Sequence, residues 1–252
     1  MTPEVLTHQS LAGAAHGFLG RTGGVSTGIH AGLNVSFSED DPAATTENRR
    51  RAVEAVLPGA RMVCAYQVHS ADVVAVSEPW EETGRPRADA LVSDRPGLLL
   101  GVLTADCAPV LFHDRMAGVV GAAHAGWKGA FTGVTDSTIA AMELLGATRA
   151  NIAAVVGPCI AQKSYEVDDA FERRFLESAC ENERFFRAGQ PNHAWFDLEG
   201  YVAARLQGAG IGSVAMLGED TYAQPGRFYS FRRATHAGEP GYGRQISLIG
   251  LR

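Results

Sequence analysis

Between Leu98 and Ala125 the chain reads LLLGVLTADCAPVLFHDRMAGVVGAAHA, a set of apolar runs broken by Asp106 and again by the polar group His113-Asp114-Arg115. None of these runs is long enough to cross a bilayer, which takes about 20 apolar residues. Each has the length of a strand, and the last two are joined so tightly that they must pair as a hairpin. Adjacent strands joined by a tight turn exclude a purely parallel sheet and predict a mixed one.

The rest of the chain alternates in the same way. AHGFLG, NIAAVVGPC, GSVAML and GRQISLIGL read as strands, and ARMVCAYQVHSADVVAVS reads as two short strands around QVHS. Three segments read as helices. The first opens at Asp41-Pro42, an N-cap followed by a proline suited to the first helical position. The second is TGVTDSTIAAMELLGA, stopped near Gly146, and the third is DLEGYVAARLQGAG. The run FERRFLESACENERFF is polar and helix-like, and Cys180 within it is expected to be a small buried residue. With no linker, repeat or low-complexity tract, residues 1–252 are expected to form one α/β domain.

Composition narrows the function. A net charge of −6 and a pI near 5.7 argue against nucleic acid or an acidic membrane surface as partner. MTPEVLTHQS lacks the basic start and long apolar stretch of a signal peptide, so the expected location is cytoplasmic. Four cysteines with no CxxC pair exclude zinc-ribbon and thioredoxin spacings. The glycine-rich GRTGGVSTG has neither the lysine of a P-loop nor a G-x-G-x-x-G, and reads as a loop near a site.

Chemistry concentrates at three strand ends. His69, Cys107 and His124 each close a β-like run and are followed or flanked by small residues. Two imidazoles and a thiolate form the donor set of a catalytic zinc site, three protein ligands with a fourth position open. A two-residue turn centred on Arg115 and Met116 would set Cys107 directly opposite His124, with Cβ atoms about 4.5–5.5 Å apart. That distance suits two ligands of one metal ion. It suits a Cys107–His124 hydrolytic dyad equally well.

QVHS, TADCAPVLF, AAHAGWKG, GPCI…YEV and FYSFRR…GRQ occur in the order of the signature blocks of the YfiH-like, laccase-domain family. The chain resembles that family over nearly its whole length, from RTGGVS and ENRR to the C-terminal strand. The resemblance implies a layered α/β sandwich of mixed β-sheets, shared with a bacterial deamidase toxin. It implies zinc, one ion per chain, held by His69, Cys107 and His124. It further implies purine nucleoside phosphorylase activity on adenosine, inosine and methylthioadenosine, with adenosine deaminase activity beside it. The partners are then a purine nucleoside and phosphate. The candidate substrate and phosphate contacts are Asn48, Arg49, Gln67, Lys128, Arg232 and Arg244, the arginines because their planar fork grips phosphate at two points. Arg50, Arg51 and Arg233 are expected to face solvent. Lys128 stands where the family often has arginine, and Trp127 is open between stacking on a base and packing in the core.

Two departures are visible. Asp220-Thr221 replaces the family's usual Cys-Thr, and RRATHAGEPGYGR is longer than the common spacing. Asp106 has two open roles, orienting a metal ligand or capping a backbone turn. Of the rival readings, a copper-dependent polyphenol oxidase calls for more histidines, in His-x-His runs, than the eight scattered here. A cysteine amidohydrolase needs Cys107 and His124 but leaves His69 without a task. The oligomeric state stays open.

Overall fold

A computed structural model describes residues 2–252. In chain order the elements are β1 (Val5–Leu6), β2 (Ala15–Leu19), α1 (Pro42–Val56), β3 (Arg61–Cys64), β4 (Val73–Ala75), β5 (Ala90–Ser93), β6 (Leu98–Thr104), β7 (Ala108–Asp114) and β8 (Val119–Ala125). Next come α2 (Trp127–Thr132), α3 (Val134–Leu144), β9 (Ile152–Val156), β10 (Glu166–Asp168), α4 (Asp169–Ser178), β11 (Phe186–Ala188) and β12 (His193–Phe196). The chain closes with α5 (Leu198–Gly208), β13 (Ser213–Met216), α6 (Phe231–His236) and β14 (Gln245–Gly250).

The strands form a five-stranded sheet ordered β1-β2-β14-β6-β3, a six-stranded sheet ordered β13-β9-β7-β8-β5-β4, and a small sheet β10-β12-β11. Pairs β3–β6, β4–β5 and β13–β9 are parallel and the others antiparallel, so both large sheets are mixed. Side-chain alternation places the layers. Along β6, Leu98, Leu100 and Val102 join Leu91, Leu111, Val120 and Val155 of the six-stranded sheet in one core. Leu99 and Leu103 face the other way, onto Ala52, Val53 and Val56 of α1. Along β7 and β8, Val110, Phe112 and Ala123 turn outward to meet α3, α5 and the phenylalanines of the small sheet. The order is helix, sheet, sheet, helices. Strands covered on both faces must be apolar at nearly every position, which is why Leu98–Phe112 reads as almost unbroken hydrophobicity.

Local signals account for the ends of the helices. The Asp41 carboxylate accepts the Ala43 N–H at 3.0 Å, with Pro42 in the first turn of α1. Gly146 follows α3 at φ +97°, a left-handed position that glycine adopts without strain.

The β7–β8 hairpin differs from expectation. Its turn has four residues, Arg115 to Gly118, and Asp114 pairs with Val119. Asp114 accepts the N–H groups of Met116 and Ala117 at 2.9 and 3.0 Å, which wraps the turn around its carboxylate, and Gly118 returns the chain at φ +65°. His124 is consequently paired with Pro109 and not with Cys107. The shift is two residues, and because side chains alternate with period two it leaves the face unchanged.

Cys180 is exposed and not buried, since α4 ends at Ser178 and the chain tightens into a short 3-10 segment from Cys180 to Phe185.

Candidate metal centre and its cleft

Asp89 organises the centre. It lies immediately before β5, 1 % exposed, and its carboxylate accepts the N–H groups of Val68, His69 and Ser70 at 3.0, 2.9 and 2.7 Å. Three successive backbone donors around one carboxylate hold the β3–β4 loop in a curled shape, with His69 at φ +61°. That backbone conformation is costly for a residue with a Cβ, and the three hydrogen bonds offset it. The remaining lone pairs take Nδ1 of His124 at 2.8 Å. With Nδ1 committed, Nε2 of His124 is the nitrogen left to bind a metal, the carboxylate–histidine arrangement common behind metal ligands. Burial opposes ionisation of Asp89, but the hydrogen bonds from His124 and from the loop hold its pKa at about 2.

Cys107 arrives from the other sheet. After β6 the chain crosses in three residues, Ala105 to Cys107, with Asp106 at φ +90°. The donor atoms of His69, Cys107 and His124 all lie within 4.8 Å of one another. Cys107 Sγ is 3.8 Å from His69 Nε2. Ligands on one tetrahedral zinc sit roughly 3.5 Å apart, given bonds of about 2.0–2.3 Å, so the donors need to close by about 1 Å at most, within reach of side-chain rotation. Space at the centre is guarded by Gly126, where a Cβ would fall 2.9 Å from Cys107 Sγ and 2.9 Å from His69 Cδ2. Burial raises the Cys107 thiol, yet His124 beside it outweighs that and the thiol is lowered. Burial likewise disfavours a charged His124, but Cys107 and Asp89 outweigh it and raise its pKa. The donor set fits a borderline-soft divalent ion.

Asp106 takes the capping role. Its buried carboxylate accepts the Arg232 N–H at 2.7 Å, Ser230 Oγ at 2.9 Å and Thr221 Oγ1 at 2.6 Å, tying the segment before α6 to the crossing. The carboxylate that orients His124 is Asp89, which the sequence reading missed.

The triad lines a cleft of about 540 Å³ together with Arg49, Gln67, Arg85 and Arg244. Arg49 is fixed by Val35 O at 2.8 Å and lies 4.4 Å over the Phe37 ring. Arg244 donates to Ser36 Oγ at 2.8 Å and to the Tyr242 hydroxyl at 2.9 Å. Gln67 lines the cleft with its amide committed, donating to Leu103 O at 2.7 Å and accepting Leu103 N–H at 2.8 Å.

Three expected contacts lie elsewhere. Asn48 is fully buried under the glycine-rich loop. Its amide serves Val25 N–H, Ser26 Oγ, Gly32 O and Asn34 O, which makes it the post that pins that loop. Lys128 is exposed on α2, its Nζ 5.5 Å from the Trp127 ring. Arg232 donates to Glu166 O at 2.7 Å and covers Tyr165. Neither of those two cations lines the cleft. Trp127 packs on Phe171 at 4.9 Å, which favours its role in the core. Arg233, expected in solvent, is half-buried and donates to the carbonyls of Thr221, Tyr222 and Phe228. Arg51 is also half-buried, bonded to Gly23 O at 3.0 Å, whereas Arg50 is the exposed partner of Glu47. Arg85 and Glu82 line the cleft and were not anticipated; they lie in a stretch between β4 and β5 without strand or α-helix periodicity.

The profile of the family described as multi-copper polyphenol oxidoreductase laccase matches residues 15–252. A protein of Deinococcus radiodurans named purine nucleoside phosphorylase is 40 % identical over 240 residues, covering 94 % of this chain and 88 % of that one. A solved structure from Neisseria meningitidis superposes with a TM-score of 0.89 at 32 % identity, covering 100 % of this chain and 99 % of that one. YfiH of Bacillus licheniformis superposes at 0.86 with 29 % identity, covering 94 % and 92 %. With a profile match across nearly all of its length and relatives alike in sequence and fold, the chain belongs to the multi-copper polyphenol oxidoreductase laccase family, that of the YfiH-like proteins.

Proposed function

We propose that the protein is a zinc-dependent purine nucleoside phosphorylase acting on adenosine, inosine or methylthioadenosine, with adenosine deaminase activity at the same centre. Phosphorolysis places phosphate against C1′ of the sugar and releases the free base and the sugar 1-phosphate. The observation that carries this reading is a single cleft holding a His/Cys/His triad and three arginines. Its volume is within the range of small-molecule sites. The relatives at about 40 % identity named purine nucleoside phosphorylase support the same reading.

His69, Cys107 and His124 would hold the zinc, which when bound supplies a Lewis acid able to polarise an oxygen at its open position. Asp89 keeps His124 in the tautomer with Nε2 free and holds His69 in its strained loop. Arg49 and Arg244 offer the charge that binds phosphate and keeps it close to the sugar. Catalysis of this kind is mostly positioning and electrostatics. A multicopper oxidase needs several metal clusters, and among the described residues the one group of three or more ligating side chains is His69, Cys107 and His124.

A second reading has its own support. Cys107, His124 and Asp89 form a thiol–imidazole–carboxylate series, and the lowered thiol is what a cysteine hydrolase needs. The deciding experiment is metal analysis with inosine and adenosine turnover, each measured with and without phosphate, on the wild type and His69→Ala. The phosphorylase reading expects about one zinc per chain and phosphate-dependent base release, both lost in His69→Ala. Full metal-free hydrolysis by that variant would establish the cysteine mechanism instead.

A further inference from the structure

The cleft holds more positive charge than its use by a neutral nucleoside explains. The chain as a whole carries −6. Among the described residues that line the cleft, however, three are arginines and one, Glu82, is a carboxylate. Glu82 is placed between two of those arginines. Its Oε2 takes Arg49 Nη1 at 2.7 Å and its Oε1 takes Arg85 Nη2 at 2.9 Å, one guanidinium group on each oxygen.

We infer that Glu82 is an internal occupant of the anion site, displaced when phosphate binds, and that Arg85 is a second phosphate-gripping fork beside Arg49. The inference rests on the phosphorylase reading and adds to it the residues that set phosphate affinity.

Both guanidinium groups are anchored by contacts other than the carboxylate. Arg49 keeps its bond to Val35 O and its stacking on Phe37. Arg85 is bound through Nε to the backbone carbonyl of Glu82 at 3.1 Å. Removal of the Glu82 side chain therefore leaves two positioned cations facing a gap, a preorganised site. The occupant itself is weakly held. Glu82 sits on a three-residue turn, Glu82 to Gly84, and its side chain is 36 % exposed, so its ion pairs are screened by water. Phosphate brings up to two charges and several equivalent acceptor oxygens where the carboxylate brings one charge and two. The exchange thus favours phosphate. A monoanion such as chloride gains nothing comparable from displacing Glu82, so the tethered carboxylate also selects for the more highly charged ligand.

The test is calorimetric titration of inorganic phosphate into the full-length, zinc-loaded protein, comparing the wild type with Glu82→Gln and with Arg85→Ala. Glutamine preserves the shape of the side chain and removes the competing charge. Glu82→Gln is expected to bind phosphate about two- to fivefold more tightly, the scale set by a partly exposed ion pair, and to become sensitive to added chloride. Arg85→Ala is expected to bind phosphate several-fold more weakly, because one fork is lost and Glu82 is left paired with Arg49 alone. Unchanged or weaker affinity in Glu82→Gln, with phosphorolysis intact, overturns this inference alone. Absence of phosphate binding in every variant and in the wild type overturns it together with the phosphorylase reading.

Discussion

Gly126 is the smallest residue at the centre and the one with the least room. Its backbone, at φ −66° and ψ 163°, is open to any L-residue, so nothing in the fold itself demands glycine there. What demands it is the pair of contacts at 2.9 Å that a Cβ would make with Cys107 Sγ and the His69 ring. Gly126→Ala is expected to leave the circular dichroism and the melting transition of the metal-free protein nearly unchanged while zinc affinity, measured by competition with a chelator, falls at least tenfold, the scale seen when groups that position ligands are disturbed. A variant that binds zinc normally would show that the ligands approach from a different side. The three donors were legible from the sequence because each ends an apolar run, where a polar side chain has no reason to be unless it faces a cavity. Asp89 was not. It sits in RADALVSDR, where an acid beside a short apolar stretch looks like any loop residue, and its importance comes from three N–H groups about twenty positions earlier in the chain. Likewise Asn48 and Arg49 are neighbours in one motif, yet helix geometry turns one into the core and the other into the cleft.

At the level of elements, the β7–β8 hairpin shows how an error in register can leave the site intact. Parity, and not the identity of the opposed residue, decides which face a ligand occupies, so a turn longer by two residues kept Cys107 and His124 on one side. The four-residue turn also changes what a deletion does. Removing Met116, which is 83 % exposed, leaves Arg115, Ala117 and Gly118, a three-residue loop with glycine where the left-handed conformation is needed. The Asp114–Val119 pair survives, and the variant is expected to bind metal as the wild type does and lose about 1 kcal/mol or less of stability, as surface changes usually do. Metal loss with the fold retained, seen by metal analysis beside a thermal melt, would mean that the strands had slipped by one. Elements with strong local signals were readable: α1 from its cap and proline, α3 from its terminal glycine, β6 to β8 from length and apolarity. β5 and the small sheet were not: β10, β11 and β12 are three or four residues long with polar residues among them, too few alternations to define a period. The equally short β3, β4 and β13 were readable from flanking apolar residues that lengthen the run.

Taken whole, the molecule is a pair of mixed sheets covered by helices, and the His/Cys/His centre draws on the β3–β4 loop, the crossing from β6 to β7 and the end of β8. A metal bound there clips together segments that belong to both sheets. Chelation is expected to lower the melting temperature by about 5 to 10 °C, from the linkage energy of a ligand at a hundred times its dissociation constant and the usual response of a domain of this length. Differential scanning fluorimetry on zinc-loaded and chelated protein measures it, and coincident melts would argue that the triad holds no stabilising ion. The crossing from β6 to β7 bears on chain length as well as on chemistry. Three residues there switch sheets, present the sulfur and, through Asp106, fasten the segment that runs into α6. One inserted residue would disturb all three duties together, whereas Ala237 to Pro240, just beyond α6, is exposed. Added length is therefore expected to be tolerated at the rim beyond α6 and to be ruinous between Thr104 and Ala108, where the spacing is set by the jobs those residues share.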